Sequence, residues 1–299
     1  MAATQGKLRQ AFNLGGLRVR DLAQRVFKEV QEDNCLGQAA QLAYYFLFAL
    51  FPFMIFLITL VGYVPVPNLT QEIMNLLGQA LPSNALRMVE DNVRDIVSQQ
   101  RGGLLSFGIV LAIWSASNAV TAVIDTLNRA YGVSEGRPFW KVRGMAILLT
   151  IGLALFIILA MVLLIFGPQI GAWIAAQVNL GRAFELTWTI LRWPVIAVLM
   201  MVATAILYYF APDVEQDWKW LTPGSCFAIV AIVATSIGFS YYVNNFGSYN
   251  KVYGSVGAII VLLTWMYLMG FFFLVGGEIN AEIEHASQAG KDPGEKTGS

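Results

Sequence analysis

The stretch Gly247-Ser-Tyr-Asn-Lys-Val-Tyr-Gly254, continued by Ser255 to Gly277 and closed by Glu278-Ile-Asn-Ala-Glu282, decides the class of this protein. No residue between Ser255 and Glu278 is charged. At the helical rise a segment of that length covers roughly 33 Å, slightly more than the hydrocarbon core of a bilayer. It reads as a transmembrane helix. Its ends differ. The upstream end carries Lys251 between Tyr249 and Tyr253, and the downstream end carries Glu278 and Glu282 one turn apart on one face. A charge so close to hydrocarbon is costly, so each of these groups requires a partner.

The totals agree with this reading. Of the 299 residues, 57% are hydrophobic and only 13% charged, about half the charged fraction usual in soluble domains. Lys plus Arg equals Asp plus Glu, so net charge is silent about partners, although its distribution is not. Cys35 and Cys226 lie far apart, and no spacing marks a metal site or disulfide framework, so both are read as inert and no cofactor is implied. The first apolar run begins near Leu42, too far in and too long for a secretory signal.

Working outward, Leu17 to Val30 sets Leu22, Val26, Phe27 and Val30 against Arg18, Arg25 and Lys28 at helical period. Two placements are open for this amphipathic helix: on an anionic membrane surface, or packed on the protein's own loops. From Ala39 to Val64 no charge appears, and Pro52 falls mid-span, where it kinks the helix and frees the carbonyl of Phe48. Residues 68–101 read as two amphipathic helices separated by Pro82-Ser83, forming a cap outside the membrane. Further spans are expected at Leu104 to Ile124, in the run Gly144 to Gly181 broken at Gly167-Pro168 ahead of an interfacial piece with Trp173, at Trp193 to Phe210, and at Pro223 to Val243. The tail 286–299 is too polar and too rich in Gly and Lys to bury a core. A short echo between Tyr44-Tyr-Phe46 with Pro52 and Tyr208-Tyr-Phe210 with Pro212 suggests an inverted repeat, though a match of that length arises readily by chance.

The expected fold is therefore all-α: a membrane bundle of six transmembrane helices over 39–285, preceded by a cytoplasmic amphipathic segment at 1–38 and carrying the cap at 68–101. Six spans place both termini on one side. Putting them inside assigns thirteen Lys and Arg to inner segments and six to outer ones, Arg192 among the latter. The positive-inside rule then makes both termini cytoplasmic.

Ala43-Tyr44-Tyr45 with Ala49-Leu50-Phe51-Pro52, Trp114-Ser115-Ala116-Ser117 with Leu127-Asn128-Arg129-Ala130-Tyr131-Gly132, Tyr249-Asn250-Lys251-Val252-Tyr253-Gly254-Ser255 and Gly277-Glu278-Ile279-Asn280-Ala281-Glu282 together resemble the YihY/BrkB family of bacterial inner-membrane proteins. The resemblance runs from about Leu22 to Glu284, and its third and fourth elements are the most specific. It implies six spans in a bacterial plasma membrane. The labels attached to the family are diverse: ribonuclease BN, serum resistance, and movement of lipid or envelope precursors.

Three clusters are candidate sites. An outer anion site would combine Lys251 and the first free N–H groups of the last helix, near Ser255 to Gly257, with Asn244, Asn245, Tyr249, Asn250, Tyr253 and Ser255 as hydrogen-bonding groups around a lipid phosphate. An inner gate or ion-pair cluster would unite Asp125, Asn128, Arg129, Glu278, Asn280 and Glu282, with Glu278 pairing with Arg129 or a loop arginine. An inner basic cluster would comprise Arg137, Lys141 and Arg143. The bland counterparts are belt tyrosines, a static ion pair that locks the bundle, and basic residues that merely obey the topology rule. A nuclease needs water-exposed acid–base or metal chemistry beside a basic track. Glu278, Glu282 and His285 share a helix face, but a solvated or ion-paired face is the commoner reading, and no groove suited to nucleic acid is visible. The reading adopted is a carrier or flippase for an amphiphile, with anionic membrane lipids as partners. The alternative is a non-transporting scaffold for envelope proteins.

Overall fold

The computed structural model describes residues 14–61, 102–178, 182–216, 220–246, 249–286 and 295. The expected cap at 68–101 and nearly all of the tail lie outside them. Within the described helices, the side chains of 51–61, 102–105, 161, 165, 166, 176, 178, 182, 183, 185, 186, 244–246 and 249–256 are also outside the description, and these include Pro52 and the whole expected outer anion site. The chain divides into two compact units, residues 1–44 with 120–299, and residues 45–119.

Among the described residues all regular structure is helical: α1 Val19–Glu32, α2 Cys35–Val61, α3 Gly102–Ala130, α4 Phe139–Val178, α5 Arg182–Phe210, α6 Pro223–Phe246 and α7 Tyr249–His285. Five stretches are long and apolar enough to cross a membrane: Ser106–Ala130, Phe139–Leu164, Thr187–Phe210, Pro223–Val243 and Gly257–His285. A further apolar helix, α2, is 27 residues long, passes through Pro52 and holds no charged residue. Large apolar side chains such as Leu148, Leu155, Val230 and Ile237 stand exposed on these helices, as a hydrocarbon-facing surface requires.

Three boundaries differ from the sequence reading. Helix α4 continues through Gly167-Pro168 for 40 residues and is not divided there. A proline costs one intrahelical bond, here the one to the Leu164 carbonyl, and the helix runs on across it; in the same region Trp188 Nε1 of α5 donates to the Gly167 carbonyl at 2.6 Å. Trp173 thus belongs to α4. Helix α5 starts at Arg182, well before Trp193, with Pro194 inside it. Helix α7 begins at Tyr249, so the N–H groups near Ser255 to Gly257 lie inside its hydrogen-bond ladder and are not its free end.

The two halves of the suggested repeat behave differently. Tyr208 is buried, donates its hydroxyl to the Phe273 carbonyl and packs on the Phe273 ring, whereas Tyr44 is more than half exposed. Helix α5 stops at Phe210, before Pro212, while α2 runs on past Pro52.

Helix α1 packs on the protein itself. Leu22 and Val26 form an apolar cluster with Ile283 near the end of α7, with Leu17, Val30 and Ile279 around them. Phe27, expected on the same face, points away and is 66% exposed. The segments next to the two termini therefore lie at one end of the molecule.

Helices α6 and α7 approach to backbone contact. A Cβ built on Gly224 would fall 2.0 Å from the Gly276 carbonyl oxygen, and one on Gly276 would fall 2.7 Å from that of Gly224. Backbone cannot yield as a flexible side chain does. Gly224→Ala should therefore lower stability by about 1–3 kcal/mol, read as an earlier thermal transition of the detergent-solubilised protein. Gly144→Ala, where a Cβ meets nothing within 4 Å, should leave the transition in place or raise it slightly.

Candidate functional site

The polar residues of the second and fourth elements lie near α1 and the last turns of α7. Helix α3 ends in a left-handed glycine: Gly132 has φ +65°, its N–H donates to Arg129 O at 2.7 Å, and the Val133 N–H donates to Asn128 O at 2.9 Å. This glycine-terminated stop is why Tyr131-Gly132 follows the helix. It turns the chain so that Asn128 meets two loops. Asn128 Nδ2 donates to Glu135 Oε2 at 2.9 Å, and Asn128 Oδ1 accepts the Asp213 N–H at 2.7 Å.

Arg137 completes the tie. Its Nε and Nη2 grip the Glu135 carboxylate at 2.8 and 2.7 Å, Nη2 also donates to the Ala211 carbonyl, and Asp213 stands 3.6 Å from Nε. Bidentate charge-assisted bonds of this kind are the strong ones. Burial by itself would raise the Glu135 carboxyl. The bonds from the Arg137 side chain and backbone, and from Asn128, outweigh that and bring it down to about 2. The loops after α3 and α5 are joined by this clasp.

Asn280 performs a similar task one helix away. Its Oδ1 accepts the Gly224 N–H at 2.9 Å and its Nδ2 donates to Thr222 Oγ1 at 3.0 Å, occupying a free donor in the first turn of α6. Thr222 and Ser225 exchange bonds around the same turn.

The carboxylates do not pair as expected. Glu278 is 2% exposed, and its Oε1 accepts the Cys35 thiol at 3.4 Å, while Oε2 makes no hydrogen bond. Among the described residues no arginine pairs with it. The nearby Asp33 carboxyl is raised above the ordinary aspartate range, by burial first and then by the charge of Glu29. Glu282 lies between Arg25 Nη1 and His285 Nδ1, each at 3.7 Å. Arg129 pairs with Asp125, one helical turn away, at 3.1 Å on an exposed face, and not with Glu278. Thus Asp125 with Arg129, Asn128, Glu278, Asn280 and Glu282 occupy five separate arrangements, not one gate. Among the described residues no group of three or more His, Cys, Asp or Glu is arranged to hold a metal ion.

The inner basic cluster is also divided. Arg137 is spent on the clasp, whereas Lys141 is exposed and makes no ion pair among the described residues. Both border a groove of about 580 Å³ between α4 and α5. Its other walls are apolar: Met145, Leu149, Leu153 and Phe156 from α4, Ile206 and Phe210 from α5, with Trp140 at the mouth beside Lys141. Gly144 and Gly152 form its floor, and a Cβ on either would meet nothing within 4 Å, so the groove exists because these positions lack side chains. Arg143 does not line it.

Sequence reasoning missed Glu135, the pairing role of Asp213, the thiol contact of Cys35, and the groove. Glu135 two positions before Arg137 was a usable signal. Nothing in the sequence announces that Gly144 and Gly152 face Ile206 and Phe210.

A family model described as virulence factor BrkB matches residues 26–299. The chain belongs to the BrkB family. Its relatives include YfkH of Bacillus subtilis strain 168, called a ribonuclease-like protein, 40% identical over 82% of this chain and 88% of that one. A UPF0761 membrane protein of Alteromonas mediterranea is 25% identical over 94% of this chain and 93% of the relative. Another, of Stenotrophomonas maltophilia strain K279a, is 25% identical over 91% of this chain, which spans 64% of that relative's length. No solved structure matches the chain. In this BrkB-family protein the Leu-Asn-Arg-Ala-Tyr-Gly element stops α3 and ties loops, and the Gly-Glu-x-Asn-Ala-Glu element seats α6 and α1 on α7.

The clasp has a pH signature. Because the folded Glu135 value lies below its unfolded one, the clasp contributes stability above about pH 4.3 and loses it as pH falls through about 2. Thermal transitions of wild type and Glu135→Gln should differ most at neutral pH, wild type being higher, and should converge in acid. A constant difference across that range would show that Glu135 acts through packing alone.

Proposed function

We propose that this BrkB-family protein is a multispanning carrier or flippase-like protein for an anionic amphiphile, with the groove between α4 and α5 as its substrate contact. The supporting observation is the pairing of chemistries in that groove. An apolar trough of about 580 Å³ ends at an exposed lysine flanked by Trp140. Acyl chains need the first, and a phosphate or carboxylate headgroup at the interface needs the second. Lys141 is available because the neighbouring arginine is neutralised by Glu135 and Asp213.

We place the groove's charged end in the cytoplasmic leaflet of a bacterial inner membrane, with both termini cytoplasmic. The bias of Lys and Arg supports this, as does the packing of α1, which carries Arg20, Arg25 and Lys28, on the end of α7. The ribonuclease-like label of YfkH is not extended to this chain. Hydrolysis of a polyanion needs ionisable groups open to water, and the carboxylates and histidine at the end of α7 are turned inward on Cys35, Arg25 and each other. We read the protein as a non-enzyme.

In liposomes containing phosphatidylglycerol, the reconstituted protein should speed exchange of labelled phosphatidylglycerol between leaflets. Gly152→Leu should abolish the exchange by filling the groove, with thermal stability changed by less than about 0.5 kcal/mol. Lys141→Ala should weaken binding of the anionic lipid about fivefold. Exchange no faster than in protein-free liposomes would sink the carrier reading and favour a scaffold.

A further inference from the structure

Arg192 lies a little over one turn inside the apolar span that begins at Thr187, facing α4 at Gly167. A Cβ on Gly167 would stand 3.1 Å from Arg192 Cδ and 3.3 Å from its Nη1. One turn on, Gly171 receives Trp188, whose ring would collide with any Cβ there. The two glycines of α4, one turn apart, thus form a recess that accepts two side chains of α5, also one turn apart. The bond from the Trp188 indole to the Gly167 carbonyl fixes this register.

Within the recess the guanidinium is held but not neutralised. Its Nε and Nη1 are shielded from solvent and make no hydrogen bond, and among the described residues no carboxylate pairs with it. Its contact is aromatic: Cζ stands 5.5 Å from the Trp193 ring centroid. Arginine keeps its charge in every protein environment, so a shielded guanidinium with no carboxylate beside it among the described residues is a place where an anion is strongly favoured.

The level of this recess narrows the choice of anion. Along α4, Lys141 and Gly167 are separated by about 39 Å at the helical rise, close to the thickness of a bilayer with its headgroups. Lys141 beside Trp140 and Arg192 beside Trp188 and Trp193 therefore stand at opposite membrane faces, each with the indoles that mark an interface.

We propose that Arg192, seated in the Gly167 and Gly171 recess, binds the phosphate of an anionic lipid in the leaflet opposite the one that Lys141 faces. This deepens the amphiphile reading by giving the α4–α5 pair a phosphate site in each leaflet, and it rests on that reading only for the Lys141 end. The guanidinium supplies a planar donor fork to the phosphate oxygens. The tryptophans supply the apolar wall against which the glycerol and upper acyl chains lie.

The test is native mass spectrometry of the full-length protein, delipidated in detergent and titrated with phosphatidylglycerol. Arg192→Gln should weaken one of two binding events about fivefold, and Arg192→Lys should restore most of it. Lys141→Ala should weaken the other event independently. Undiminished binding in Arg192→Gln, with Lys141→Ala defective, would overturn this inference and leave the groove reading intact. A defect in Arg192→Gln alone would uphold the inference and remove the groove's headgroup site. Should Arg192→Gln fail to fold, modification of Arg192 by phenylglyoxal in the wild-type protein gives the same answer. Phosphatidylglycerol should slow it, and no protection would overturn the proposal. Equal protection by inorganic phosphate alone would also overturn it, by making the occupant a free anion.

Discussion

The hydrogen bond from the Gly224 N–H to Asn280 Oδ1 carries a burden that water would carry in a soluble protein. Where α6 starts against α7, its first amides have no helical acceptor, and hydrocarbon offers none. Asn280 supplies one from the neighbouring helix and uses its own N–H on Thr222. Only then can Gly224 and Gly276 bring the two backbones together, and Tyr208 of α5 bond the Phe273 carbonyl on the same helix.

The same economy governs the rest of the polar residues at that end. Asn128, Glu135, Arg137 and Asp213 satisfy one another across two loops. Arg25 of α1 answers Glu282, and His285 lies beside it. Residues that stand out in the sequence as charged or amidic at a membrane boundary are, in the fold, mostly committed to holding helices in register. Glu278 is the exception, a buried carboxyl facing a thiol and no cation.

The α4–α5 pair differs in kind. It is joined by Trp188 against a glycine recess and lined by an apolar groove, and among the described residues Lys141 and Arg192 make no ion pair. Lys141 stands at one end and Arg192 at the other. The proposed chemistry with lipid belongs here, where charge has been left over, and not in the motif-rich end, where it has been used.

Length, hydropathy and charge were enough to establish an all-α membrane protein, because hydrocarbon forces each spanning segment to satisfy its own backbone and to run uncharged for a bilayer's thickness. The span from Pro223 to Val243 depends on local sequence and was legible in it, whereas the second span, read to Ile124, continues as helix to Ala130. Whether Pro168 ended α4 was not legible, since a proline in an apolar run can end a helix or remove only one bond of it. Nor was the partner of Glu278, because Cys35 lies 243 residues away and only helix packing brings it near. Sequence fixes which groups must find a partner, and tertiary structure alone decides which partner, because in a membrane the choice is made by whichever helix lies alongside.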